Sequence, residues 1–247
     1  MHVVAVVAAG GQGTRLGTPR PKQFLELAGR SLLERSVSAL LASPSIRQVV
    51  VALPEEYLSD LPAYLRVPRV QVVAGGARRQ DSVANAARAA SEEAEVVLIH
   101  DAARPFVDLA TIARVIEAAA SAGAAIAALP SRDTVKLADI TETSWVGTEF
   151  GDPLPAVRPK AVPAVKRTLA RETIFLAQTP QGFRRDVLAR VLELGAQGAE
   201  GTDEAALAEQ AGCTVLLVPG DPCNIKITTA ADLAFARGLL LERGELS

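Results

Sequence analysis

Histidine and cysteine are nearly missing from this chain, with two of each in 247 residues. That scarcity leaves no His/Cys constellation from which a base-activated nucleophile could be assembled. Cys213 and Cys223 form no C-x-x-C pattern, so a disulfide framework is excluded and both read as thiols in a reducing, cytoplasmic compartment. Charge of one sign is missing too: 26 basic against 28 acidic residues give a net charge of −2. Nothing there builds the basic face that nucleic acid or an anionic membrane needs, so a charged substrate must be met locally. No apolar run reaches the length of a membrane span, and the apolar start lacks a basic flank and runs straight into glycines. Linker-like shifts and internal repeats are absent, and the alanine-rich tracts at 84–90 and 118–128 read as helix and strand packing.

What is present starts with residues 2–7, an uninterrupted apolar run rich in valine that reads as a strand buried on both faces of a parallel sheet. Ala8, Ala9, Gly10, Gly11 and Gly13 follow at once. A loop of bare backbone leaving the carboxyl end of such a strand exposes successive N–H groups that can wrap polyphosphate oxygens. Arg15 and Lys22 add a fork and a movable point charge beside it, a combination suited to a triphosphate. Two better-known phosphate loops are excluded. A dinucleotide fingerprint counted from Gly11 and Gly13 needs a glycine where Leu16 stands, and a Walker loop needs Lys-Ser/Thr where Thr18 and Pro19 follow Gly17.

The remainder alternates strand and helix signals. Ser31 to Glu34 reads as a capping box for a helix whose apolar face is Leu33, Val37, Leu40 and Leu41. Strands are predicted at 47–53, 70–74, 95–99 and 124–129, with Asp108 capping a helix that buries Leu109, Ile112, Val115, Ile116 and Ala119. Further strands are predicted at 173–178, 215–218 and 223–227, with 179–182 turning toward a helix near Arg184. Thr229 caps a last helix packing through Leu233, Phe235 and Leu240. The acids of Thr202-Asp203-Glu204 suit a helix N-terminus and its dipole. In a sheet of this type the loops after the strands converge on one crevice, so the second glycine turn, Gly75-Gly76, should face the first. Asp81 reads equally as a helix cap or as a ligand contact, and His100 as a packing residue. Asp101 ends a buried strand and is the candidate ligand for Mg²⁺, a hard cation that takes one or two carboxylates plus phosphate oxygens. Arg104 could pair with a substrate phosphate or neutralise Asp101.

Residues 9–16 resemble the signature loop of nucleotidyltransferases that join a nucleoside triphosphate to a sugar phosphate, and Pro21-Lys22-Gln23 matches their second basic element. The blocks at 75–83, 100–105, 179–181, 202–205 and 224–226 are similar, in order, to the 2-C-methyl-D-erythritol 4-phosphate cytidylyltransferases. The resemblance implies one domain over 1–247: a Rossmann-like three-layer αβα fold with a mostly parallel mixed sheet and a protruding β-arm at about 131–172 used for homodimerisation. It implies that CTP and a polyol phosphate are the substrates, that Gly76, Ala77 and Ser82 hold cytosine, and that Ala102, Thr179 and Thr202 lie beside the substrates. By the same resemblance Lys226 and Arg171 aim the attacking phosphate, and Thr134 and Arg171 serve the site from an exchanged arm.

The chain departs from the family in two places. The arm is longer by roughly twenty residues, with Pro153, Pro155, Pro159 and Pro163 expected to block sheet pairing and Trp145 to anchor it. Cys223 stands where some relatives carry an aspartate, leaving Asp221 as the candidate second carboxylate. A ribitol 5-phosphate cytidylyltransferase is the nearest alternative, and Ala102-Ala103 after Asp101 favours the erythritol family. A non-catalytic nucleotide-binding module is disfavoured by the presence of both basic residues and the metal-ligand candidate. An NAD-dependent dehydrogenase is disfavoured by Leu53-Pro54, where an acid should close the second strand.

Overall fold

The computed structural model describes residues 1–10, 21–144 and 162–246. Gly11, Gly13, Arg15, Trp145, Pro153, Pro155 and Pro159 lie outside the described residues. Among the described residues the strands are β1 (Val3–Ala8), β2 (Glu26–Leu27), β3 (Arg30–Ser31), β4 (Ile46–Leu53), β5 (Val70–Ala74), β6 (Val96–Asp101), β7 (Ala124–Pro130), β8 (Lys136–Ser144), β9 (Val162–Thr168), β10 (Phe175–Arg184) and β11 (Leu216–Pro219). The helices are α1 (Leu32–Leu41), α2 (Arg79–Arg88), α3 (Leu109–Ala122), α4 (Arg185–Ala196), α5 (Glu204–Gln210) and α6 (Ala230–Glu242).

The main sheet runs β11-β7-β10-β6-β1-β4-β5. β1 pairs in parallel with β4 and β6, β4 with β5 and β11 with β7, while β10 runs antiparallel to β6. From β1 the chain moves outward to β4 and β5 and then returns to place β6 on the other side of β1, so the order reverses there. A crevice therefore opens beyond the carboxyl ends of β1 and β6, the place where open α/β sheets hold ligands.

Strand alternation builds the two cores. Val3, Ala5 and Val7 face one layer with Leu33, Val37 and Leu40 of α1 and Ile112, Val115 and Ile116 of α3. Val4 and Val6 face the other, with Val83 and Ala86 of α2, Val187 and Val191 of α4, and Leu207 of α5. Each valine of β1 is wholly buried, worth about 1.5–3 kcal/mol per side chain. The caps are those that the sequence indicates: Ser31 Oγ accepts from Glu34 N, Asp108 from Thr111 N and Thr229 from Asp232 N.

Four expectations change. Residues 179–182 continue β10 instead of turning out of it; Pro180 follows a cis peptide, and ladder pairing with β6 begins at Gln181, beyond the proline that has no N–H to offer. Residues 223–227 form no strand, because their polar backbone groups bond to side chains and to Ala103 O. Leu109 and Phe235 are exposed: Leu109 opens α3 ahead of its packed stripe, and in α6 the buried face is Ala236 and Leu240, which turns Phe235 outward. Pro163 lies inside β9, opposite Thr143, where the β8–β9 register slips between Asp139 and Thr143.

The chain divides into two compact units, residues 1–129 with 177–247, and residues 130–176. In the second unit β8 and β9 pair antiparallel, Leu169 N donates to Val135 O, and Ser131 N donates to Ile174 O.

Candidate active site

A cavity of about 720 Å³ lies at the carboxyl ends of β1, β5 and β6. Gly10, just beyond the end of the first strand, and the turn Gly75-Gly76 both line it. A Cβ added at Gly10 would stand 3.3 Å from Ser82 Oγ, and the same hydroxyl accepts from Gly76 N at 3.0 Å. At Gly76 a Cβ would fall 2.3 Å from that of Asp81, so this turn must stay bare. Asp81 itself caps α2, accepting from Arg78 N at 3.1 Å.

Asp101 ends β6 against this cavity. Its Oδ2 lies 2.7 Å from Lys226 Nζ and its Oδ1 accepts from Arg79 Nε at 3.1 Å. Burial alone would raise its pKa, but the charges of Arg79 and Lys226 together outweigh that and hold the carboxyl well below the usual range. Arg79 is itself anchored: its Nη1 donates to Glu204 Oε2 at 2.6 Å, and Glu204 is only 1% exposed. Burial pushes the Glu204 carboxyl up, and Arg79 pulls it back only in part.

The backbone of Asp101 is fixed from below by His100. Arg104 O can only accept, so the 3.0 Å contact puts the proton on His100 Nε2 and leaves Nδ1 to accept from the Thr179 hydroxyl, also at 3.0 Å. Thr179 Oγ1 in turn accepts from Asp101 N at 3.1 Å. This relay needs a neutral imidazole, and burial lowers the His100 pKa to about 4. The segment carrying Lys226 is tied down in the same way. Arg104 Nη1 donates to Asn224 O at 2.7 Å, Asn224 Nδ2 to Thr179 O at 2.8 Å and Gln178 Nε2 to Asp221 O at 2.9 Å.

The family model of IspD, 2-C-methyl-D-erythritol 4-phosphate cytidylyltransferase, matches residues 3–149 and 151–242. The chain belongs to this family. It is 40% identical over 254 residues to the 2-C-methyl-D-erythritol 4-phosphate cytidylyltransferase of Acidobacterium capsulatum, covering 98% of this chain and 99% of that protein. It is 47% identical over 244 residues to the bifunctional enzyme IspD/IspF of an Anaeromyxobacter species; the match covers 97% of this chain but 57% of that relative's length. Among solved structures, the 2-C-methyl-D-erythritol 4-phosphate cytidylyltransferase of Thermus thermophilus superposes with a TM-score of 0.74 at 34% identity, covering 97% and 98% of the two chains.

Of the residues that the cytidylyltransferase resemblance selects, Ala8, Ala9, Gly10, Lys22, Gly76, Ala77, Ser82, Asp101, Ala102 and Lys226 line the cavity together. Thr179 and Arg104 do not line it; both are buried and bond to protein groups, Arg104 to the carbonyls of Asn224 and Ala177. Thr202 is exposed, also away from the cavity wall. Arg171 and Thr134 belong to the second unit, where both are exposed and Arg171 Nη1 donates to Arg132 O at 3.3 Å. Asp221 accepts from Cys223 N at 2.8 Å, capping its own turn. Among the described residues no group of three or more His, Cys, Asp or Glu side chains could cage a metal. Sequence reasoning missed Arg79 and Glu204 as parts of the site. The dipole explanation for Glu204 gives way to a buried ion pair, and the signal for it was an arginine and a glutamate in two separate family blocks.

Proposed function

We propose that this cavity transfers the cytidylyl group of CTP to 2-C-methyl-D-erythritol 4-phosphate, releasing pyrophosphate. Asp101, clamped between Arg79 and Lys226 at the edge of a cavity lined by Gly10 and by the turn Gly75-Gly76, is the observation that carries the reading. An oxygen of the acceptor phosphate attacks the α-phosphorus of CTP. A P–O bond forms there as the bond from α-phosphorus to the β-bridging oxygen breaks, and pyrophosphate leaves. A phosphate monoester has a second pKa of about 6, so its nucleophilic oxygen is already ionised and no general base is required.

Catalysis is then positioning and charge. Lys226 holds the acceptor phosphate near the α-phosphorus, and its fixed segment supports that task. Lys22, with Arg15 of the signature loop, meets the charge that grows on the α-phosphate and on pyrophosphate. The bare backbone at Gly76 and Ala77, with Ser82 behind it, admits a flat pyrimidine. Asp101 suits Mg²⁺: it is a hard oxygen donor kept ionised, and each of its oxygens retains a lone pair beyond those taken by Arg79 and Lys226. Bound there with the substrate phosphates, Mg²⁺ would neutralise phosphate charge.

The exposure of Thr134 and Arg171 supports a homodimer in which each arm serves the partner's site. We place the enzyme in the cytoplasm, in keeping with its two free cysteines; among the described residues no helix is long and apolar enough to cross a membrane. Pyrophosphate release across the four nucleoside triphosphates, each with 2-C-methyl-D-erythritol 4-phosphate or ribitol 5-phosphate, tests the reading. Turnover is expected with CTP and the erythritol acceptor; preference for ribitol 5-phosphate or a purine nucleotide would overturn it.

A further inference from the structure

We propose that Gln23 is a further substrate-recognition residue whose amide reads a vicinal diol. Gln23 sits in the 3-10 turn Lys22–Phe24, fixed by bonds from Phe24 N to Pro21 O and from Leu25 N to Lys22 O. Phe24 packs against the core and against the Tyr57 ring, with centroids 4.8 Å apart, so the position of Gln23 on the cavity wall is set by its neighbours.

The residue is 1% exposed, yet among the described residues neither its Oε1 nor its Nε2 has a hydrogen-bond partner. Gln181, equally buried, shows the ordinary arrangement: its Nε2 donates to Asp203 Oδ2 and its Oε1 accepts from Ala205 N. A buried amide with both ends orphaned carries the full desolvation penalty of each, which a protein keeps only where something else removes it. Its terminal torsion is soft, so Oε1 and Nε2 can be re-aimed about the Cγ–Cδ bond without moving the turn.

The chemistry of the partner follows from the two orphans. A phosphate oxygen only accepts and would leave Oε1 unpaired; an ammonium only donates and would leave Nε2 unpaired. Two adjacent hydroxyls satisfy both, one accepting from Nε2–H and the other donating to Oε1; the N3/N4 edge of cytosine would do so too, but that base is already assigned to Gly76, Ala77 and Ser82, and equal losses on CTP and dideoxy-CTP would reveal it. This deepens the proposed function and rests on it, since CTP carries such a diol on its ribose and the acceptor carries one on its polyol.

Calorimetric titration of wild type and Gln23→Met separates the two sources. The ligands are CTP, 2′,3′-dideoxy-CTP, and the acceptor added to protein saturated with an unreactive CTP analogue. If the ribose is read, Gln23→Met loses about tenfold on CTP and nothing on dideoxy-CTP or the acceptor. If the polyol is read, the same loss falls on the acceptor alone. Without ligand, Gln23→Met is expected to melt at or above the wild-type temperature, because an orphaned amide has gone. Unchanged affinities for every ligand, equal losses on CTP and dideoxy-CTP, or a lowered melting temperature with binding intact would each overturn the role. Wild-type protein that fails to bind CTP would instead overturn the proposed function, so the two failures are distinct.

Discussion

Arg79 reaches two acids at once: its Nη1 lies 2.6 Å from Glu204 Oε2, a residue 125 positions later, and its Nε lies 3.1 Å from Asp101 Oδ1. Glu204 therefore sets where the guanidinium stands beside the carboxylate of the cavity. Glu204→Ala leaves Arg79 with half its partners and should destabilise the fold by about 3 kcal/mol, the low end for a broken buried pair because Arg79 is partly exposed. Urea unfolding checks this; an unchanged midpoint would reduce the pair to a surface contact.

Lys22→Ala should slow turnover roughly a hundredfold, about 3 kcal/mol of lost charge stabilisation, with a much smaller change in CTP affinity. Steady-state kinetics beside direct CTP titration separate the two. Full turnover with weakened CTP binding would make Lys22 a simple binding residue.

The His100 relay makes stability depend on pH. Its imidazole has a pKa of about 4 in the folded protein against about 6.5 unfolded, so the unfolded chain binds more protons between those values. The stability held in the neutral ring is complete above about pH 6.5 and is lost as pH falls, about 2.5 kcal/mol by pH 4.5. Denaturant unfolding without divalent metal should show that His100→Gln loses this share of the slope. Identical slopes in the two proteins would mean the ring is charged in the folded state.

Homodimeric arm exchange is tested by complementation. Lys22→Ala and Arg171→Ala chains, each inactive alone, should regain about a quarter of wild-type activity when mixed under conditions of subunit exchange. Random pairing makes about half the dimers hybrid, each with one intact site. Verified exchange with no regain would put Arg171 in its own chain's site or outside the chemistry.

The sequence carried what is local. The apolar run into glycines located β1 and the cavity beyond it, and Ser31, Asp108 and Thr229 marked their helices because a cap acts on its own first turn. What depended on distant partners could not be read. Residues 223–227 look like a strand until the Asn224 carbonyl is found on Arg104 and Gln178. Glu204 looks like a helix-dipole acid until Arg79 arrives from another segment. Thr179 and Arg104 resemble ligand contacts because of the blocks they sit in, yet both bind protein groups that hold Asp101 and the Lys226 segment in place.

Direct attack by the acceptor phosphate on the α-phosphorus of CTP is the core of this reading, and an oxygen label follows it. With CTP, Mg²⁺ and an acceptor labelled with ¹⁸O at its non-bridging phosphate oxygens, mass spectrometry should find every label in the CDP-alcohol and none in pyrophosphate. Label in pyrophosphate, or label lost to water, would contradict direct transfer.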